Sequence, residues 1–150
     1  MSIMDKVTLR ASSEADDDFV NMLTRSVMKR YVEATWESTK DRERYYEKNQ
    51  FQQSKTKIIQ CNGIDIGRIT TTCLPDRIII DGIHIVADFQ GKGIGRQLIN
   101  RIIDDANIKG IPVELILLKT NPVKKLYDDL GFHLYREDMN RYYMSTAINQ

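Results

Sequence analysis

Gln90-Gly91-Lys92-Gly93-Ile94-Gly95-Arg96 decides how this chain is read. The stretch follows an extended apolar run, Arg77 to Val86. It opens a pattern in which Ile94, Leu98, Ile99, Ile102, Ile103 and Ala106 fall on one helical face. Glycines at alternate positions let the backbone approach a ligand with no Cβ in between. The first amides of a helix lack intrahelical acceptors and carry the positive end of its dipole. Strand, glycine turn and helix start together make a cradle for a diphosphate. Without a ligand the same pattern is only a glycine-rich entry to a helix, and the rest of the chain has to separate the two.

Two phosphate-binding motifs are excluded. The nucleoside-triphosphate loop needs Lys-Ser or Lys-Thr after its last glycine, where Ile94-Gly95-Arg96 stands. The dinucleotide fingerprint needs a glycine at the position of Arg96. The pattern Gln-x-x-Gly-x-Gly after the longest strand candidate resembles the acetyl-coenzyme A signature of the GCN5-related N-acetyltransferases, the GNAT family. A second segment, Asn121-Pro122-Val123-Lys124-Lys125-Leu126-Tyr127-Asp128-Asp129-Leu130-Gly131-Phe132, resembles that family's later motif, Asn…Leu-Tyr…Leu-Gly-Phe. Its Tyr stands one residue closer to the Asn than in many members. The resemblance covers Arg77 to the C-terminus, and the first half only by its order of elements.

At 150 residues the chain is long enough to bury a core as one domain spanning 1–150. Its net charge of +1 gives no field that points to nucleic acid or an acidic membrane. No apolar run spans a bilayer, and no apolar leader precedes the first element; Met1 to Lys6 reads as a disordered or edge-strand start. Cys61 and Cys73 are too few for a zinc site or a disulfide framework and read as reduced packing residues, so no metal is expected and the cytoplasm is the default compartment.

The elements follow from local chemistry. Val7 to Arg10 is a short strand, and Ser13 with Asp16 caps a helix carrying Phe19, Val20, Met22, Leu23, Val27 and Met28. Tyr31 to Trp36 reads as an aromatic-rich connection to a charged helix, 39–53. Strands at 55–61 and 64–73 flank Asn62-Gly63, the strongest short hairpin signal. A further strand runs 77–86. Gly110 ends the helix behind the glycine loop, and 113–118 is apolar enough for a strand buried on both faces. A helix near 123–130 and strands near 134–136 and 141–144 close the chain. The fold class is α/β (α+β), a mixed, mostly antiparallel sheet flanked by helices.

The resemblance implies a function: acetyl-CoA-dependent N-acetyltransfer to an amine of a small molecule or protein, by direct transfer in a ternary complex. The alternative is a non-catalytic acyl-CoA-binding or sensing module. The partners implied are an amine-bearing substrate and neither nucleic acid nor membrane, with the chain a monomer or homodimer. Gln90, Gly91, Lys92, Gly93, Ile94, Gly95 and Arg96 would hold the diphosphate, chiefly by backbone amides, with Lys92 and Arg96 either adding charge or facing solvent. Ile83, Ile85 and Val86 would pair their main chain with the pantetheine arm, and Asn121, Lys124 and Tyr127 would add contacts from the later motif.

Tyr127 is the candidate general acid, since a phenol of pKa about 10 keeps its proton where a thiol of about 8.5 does not; its other role is simple packing. Asp81 and His84 compete as general base, with a water chain as the third option. Asp81 shares the face of Ile83 and Ile85 at period two unless a bulge intervenes, and His84 has the better intrinsic pKa. His133 reads as surface. Tyr31, Glu33, Thr35 and Trp36 form the candidate acceptor wall, with Trp36 equally suited to anchoring the helix pair.

Overall fold

Asn62 and Gly63 adopt φ of 53° and 77°. This positive pair is what a tight hairpin turn demands, and it joins β2 (Thr56–Cys61) to β3 (Ile64–Leu74) antiparallel. The computed structural model describes residues 6–147, so the start read at Met1 to Asp5 lies outside the described residues. β1 (Val7–Ala11) pairs antiparallel with β2, and β4 (Arg77–Ile85) with β3. β5 (Val113–Leu118) lies parallel to β4, and β7 (Arg141–Ser145) joins it to β6 (His133–Glu137). The seven-stranded order is β1-β2-β3-β4-β5-β7-β6. Among the described residues only β4 and β5 run parallel, as the mixed, mostly antiparallel reading requires.

Helices cover both faces. α3 (Ile94–Lys109) starts at Gly93 and stops at Gly110, both left-handed at φ 84° and 71°. Its Ile99 and Ala106 pack with Ile78, Ile80, Val113, Leu115 and Leu117, and with Tyr127 of α4 (Lys124–Asp129). On the opposite face α1 (Asp17–Thr35) buries Val20, Leu23, Thr24, Met28 and Val32 at helical spacing. Met28 and Val32 meet Leu118 there, and Tyr45 and Tyr46 of α2 (Thr39–Lys48) pack against them.

Four expectations need correction. The aromatic connection is helical, since Tyr31 to Thr35 are the last turn of α1 and only Trp36 to Ser38 link it to α2. α1 stops at Trp36, which is extended at φ −128° and ψ 135°, and Ser38 Oγ then accepts from the Asp41 amide at 3.1 Å to cap α2. α2 also ends at Lys48, well short of residue 53. β5 is not buried along the whole of both faces, because Ile116 is 54% exposed although Leu118 on the same face is buried under α1. Cys61 is buried but Cys73 is exposed, so Cys73 is not a packing residue. Among the described residues no helix is long and apolar enough to cross a membrane.

Candidate active site

The parallel pairing of β4 with β5 lasts three residues, Ile78 to Ile80 against Val113 to Leu115. Beyond Ile80 the strands part, and a cleft of about 680 Å³ opens between them. At the parting point β4 carries a bulge. Gly82 pairs with Thr70 and Ile80 with Thr71, so Asp81 is the extra residue.

That residue resets the parity of β4. The Ile78 amide donates to Pro112 on the β5 side. After the bulge the Val86 amide donates to Ile66 on β3 at 2.8 Å, so by period two Ile83 and Ile85 turn their main-chain groups toward the vacated edge. The Ile85 carbonyl accepts from Gln90 Nε2 at 2.8 Å on that side. The Val86 amide is already used, which removes Val86 as a free main-chain donor.

Side chains follow the same shift. Ile83 and Ile85 pack with Ile94 and Leu98 of α3. Asp81 Oδ2 accepts from Thr72 Oγ1 at 2.6 Å, and Thr72 shares its face with Arg68 and Thr70. Arg68 in turn reaches Thr24 on α1. Asp81 therefore lies on the α1 side with His84, not on the face of Ile83 and Ile85.

The glycine loop lies at the mouth of the cleft. Gly91 and Gly93 have φ of 74° and 84°. A Cβ built on either would meet no protein atom within 4 Å. The first intrahelical bond of α3 runs from the Gln97 amide to the Gly93 carbonyl, leaving the amides of Ile94, Gly95 and Arg96 without helical acceptors. Arg96 lines the cleft, whereas Lys92 is exposed outside its lining. Asn121 lines it too, with Oδ1 accepting from the Val123 amide at 3.3 Å. Lys124 does not; its Nζ pairs with Asp128 at 3.0 Å.

Tyr127 is 6% exposed, its ring edge-on to Phe132 at 5.4 Å. Among the described residues its hydroxyl has no hydrogen-bond partner, yet it is not sealed from the cleft. Burial pushes the phenol up to about 12. His84 receives Arg68 Nε at 3.2 Å and Nη2 at 3.0 Å on Nδ1. A guanidinium cannot accept, so Nδ1 is the acceptor and the ring proton resides on Nε2. Burial and the Arg68 charge hold the imidazole neutral, pushed down to about 3. His133 is exposed on β6.

The acceptor wall is only partly the expected one. Tyr31 lines the cleft. Glu33 is exposed and lines a groove between α1 and α2, outside the cleft lining. Trp36 packs on Tyr45 at 5.8 Å and under Arg141 at 5.4 Å, which makes it the anchor of the helix pair. Thr35 Oγ1 bonds Thr120 Oγ1 at 2.9 Å and ties α1 to the loop after β5. Arg68, Tyr45, Asn49 and Ser26 line the cleft instead. The one sequence signal for Arg68 is a charge followed by an apolar and threonine-rich run, Ile69 to Cys73.

Residues 54–134, more than half of the chain, match the acetyltransferase (GNAT) domain. The chain belongs to the GNAT family. The matched span runs from the approach to β2 into β6, and so contains the splayed strands, the glycine loop and Tyr127. No curated protein matches the chain. Three solved structures show this GNAT fold. The PaiA N-acetyltransferase of Thermoplasma acidophilum, in complex with coenzyme A, is 16% identical with a TM-score of 0.73, covering 95% of this chain and 99% of its own. Naa50 of Arabidopsis thaliana, with the bisubstrate analogue CoA-Ac-MVNAL, is 16% identical with a TM-score of 0.68 over 95% and 99%. Spermidine N-acetyltransferase of Vibrio cholerae, with CoA and spermine, is 24% identical with a TM-score of 0.64 over 94% and 95%.

Proposed function

We propose that this GNAT domain is an acetyl-CoA-dependent N-acetyltransferase that transfers acetyl directly to an amine in a ternary complex. One observation carries the reading. The main chain of Ile83 and the amide of Ile85, the open amides at the start of α3 and the Tyr127 hydroxyl, unpartnered among the described residues, all border one cleft. The residues fit the cofactor, since the glycines leave the loop bare and its amides open to a diphosphate.

Bound acetyl-CoA supplies a thioester acetyl group. Gly91 to Arg96 hold its diphosphate by backbone amides, and Arg96 adds charge. Ile83 and Ile85 align the arm along β4, which contributes several kcal/mol by removing the entropy of encounter. The Ile85 amide is the donor that would polarise the acetyl carbonyl. The Tyr127 hydroxyl would donate a hydrogen bond to the sulfur as negative charge develops there. Asp81, on the opposite wall, takes the amine proton directly or through water. His84 lacks the free lone pair a base needs, because Arg68 occupies Nδ1.

The purified protein with acetyl-CoA and a panel of amines should release free thiol, followed colorimetrically. Tight CoA binding without thiol release from any amine would leave an acyl-CoA-binding module in its place.

Gly93→Val tests the cradle. A valine Cβ there would point into ligand space, so the acetyl-CoA Kd should rise about tenfold or more. Gly63→Val is the control, because it carries the same strain of positive φ with nothing within 4 Å and stands in the β2–β3 turn. Equal Kd values for Gly93→Val and Gly63→Val would remove the cradle assignment. Arg96→Ala should weaken binding less than Gly93→Val.

A further inference from the structure

Arg68 is 4% exposed and carries its charge on the floor of the cleft, between β3 and α1. Its hydrogen bonds all go to neutral groups: Thr70 Oγ1 at 2.8 Å, Thr24 Oγ1 at 3.1 Å and His84 Nδ1. Among the described residues no carboxylate lies within ion-pair distance of it. A buried cation is costly to keep charged, and the one carboxylate that acts on it, Asp81, makes no ion pair with it. β4 is nevertheless shaped around it, since a Cβ on Gly82 would stand 2.8 Å from Arg68 Nη2.

Two further donors border the same floor. His84 presents Nε2–H, and Tyr45 on α2 presents a hydroxyl; among the described residues neither has a hydrogen-bond partner and neither is sealed off. All three side chains line the same cleft, and His84 is bonded directly to Arg68.

We propose that Arg68, His84 and Tyr45 form an anion site that receives a carboxylate carried by the acceptor amine, given that the cleft is the acetyl-transfer site. The donor set selects this chemistry. A carboxylate brings only acceptors, and here it meets a guanidinium, an imidazole N–H and a phenol. A polyamine or a lone ammonium would need acceptors on this floor and find donors. The charged residues lining the whole cleft are Arg30, Arg68 and Arg96 against Asp81 alone. Asp81 is thereby left for the amine, and the acceptor is an amine with a carboxylate close by, as in an amino acid.

Matched acceptors test the site on the unaltered protein: an α-amino acid, its amide and its decarboxylated amine. Each is titrated calorimetrically into CoA-loaded protein and assayed for thiol release from acetyl-CoA. The amino acid should bind roughly ten- to a hundredfold more tightly than the decarboxylated amine, as expected for a hydrogen bond to a charged group. Arg68→Gln should abolish that difference and leave the CoA Kd unchanged. Tyr45→Phe, which removes one hydroxyl, should shrink it, and it decides the matter if Arg68→Gln does not fold. Equal binding of acid and amine overturns the site, as does a preference undiminished in Tyr45→Phe. Carboxylate-selective binding with no thiol release supports the anion site and removes the transferase reading instead.

Discussion

Tyr127→Phe is expected to lower kcat about 10- to 1,000-fold while the acetyl-CoA Kd stays unchanged. The ring packs edge-on to Phe132 and keeps that contact in the variant. Only the hydroxyl is lost, and among the described residues it has no partner to orphan, so the fold should keep its stability. Burial pushes this phenol up to about 12, which keeps the O–H intact across any working pH. The same shift refines its role. Full proton transfer to a thiolate of pKa about 8.5 is uphill from such a phenol. The hydroxyl therefore acts as a hydrogen-bond donor to sulfur, in a dry site where the bond is stronger than in water. Steady-state kinetics with a good acceptor and calorimetry with acetyl-CoA check both halves. An unchanged kcat would take Tyr127 out of the mechanism.

The parts of the fold legible in the sequence are those fixed by local chemistry. Asn62-Gly63 specifies its turn by φ alone, and Gly110 ends α3 the same way. The apolar run of Val113 to Leu118 placed β5 to the residue, but not the exposure of Ile116, because burial depends on where other helices lie. Tyr31 to Thr35 were misread as connection because their β-branched and aromatic residues are weak helix formers. α1 carries them by burying Val32 against Leu118. The bulge at Asp81 had one local sign, the Asp-Gly pair inside a strand, since Gly82 in a strand interior marks a bulge or a close approach. It is both here. Arg68 was illegible: a charge in a strand reads as a solvent face until α1 is known to cover it. Its partner His84 was then weighed on an intrinsic pKa that burial abolishes.

Asp81→Asn should cost about 100-fold or more in kcat/KM across the neutral range, the usual contribution of a positioned base. Asn can still accept from Thr72, so the strand end should remain ordered and the loss chemical. His84→Gln should behave differently. In the folded protein His84 protonates only near pH 3, so the wild-type rate has no limb near 6.5 to lose, and the variant should change acceptor KM while the pH profile keeps its shape. Stability gives an independent reading of the same shift. An unfolded histidine takes its proton near pH 6.5, so between that value and about 3 the unfolded chain binds more protons and folding weakens as pH falls. Denaturation midpoints of His84→Gln should therefore fall less steeply with acid than those of the wild type. A rate limb near 6.5 that vanishes in His84→Gln would return the base role to the imidazole. It would also require Arg68 to leave Nδ1 during turnover, because the lone pair that accepts the substrate proton is the one the guanidinium now occupies.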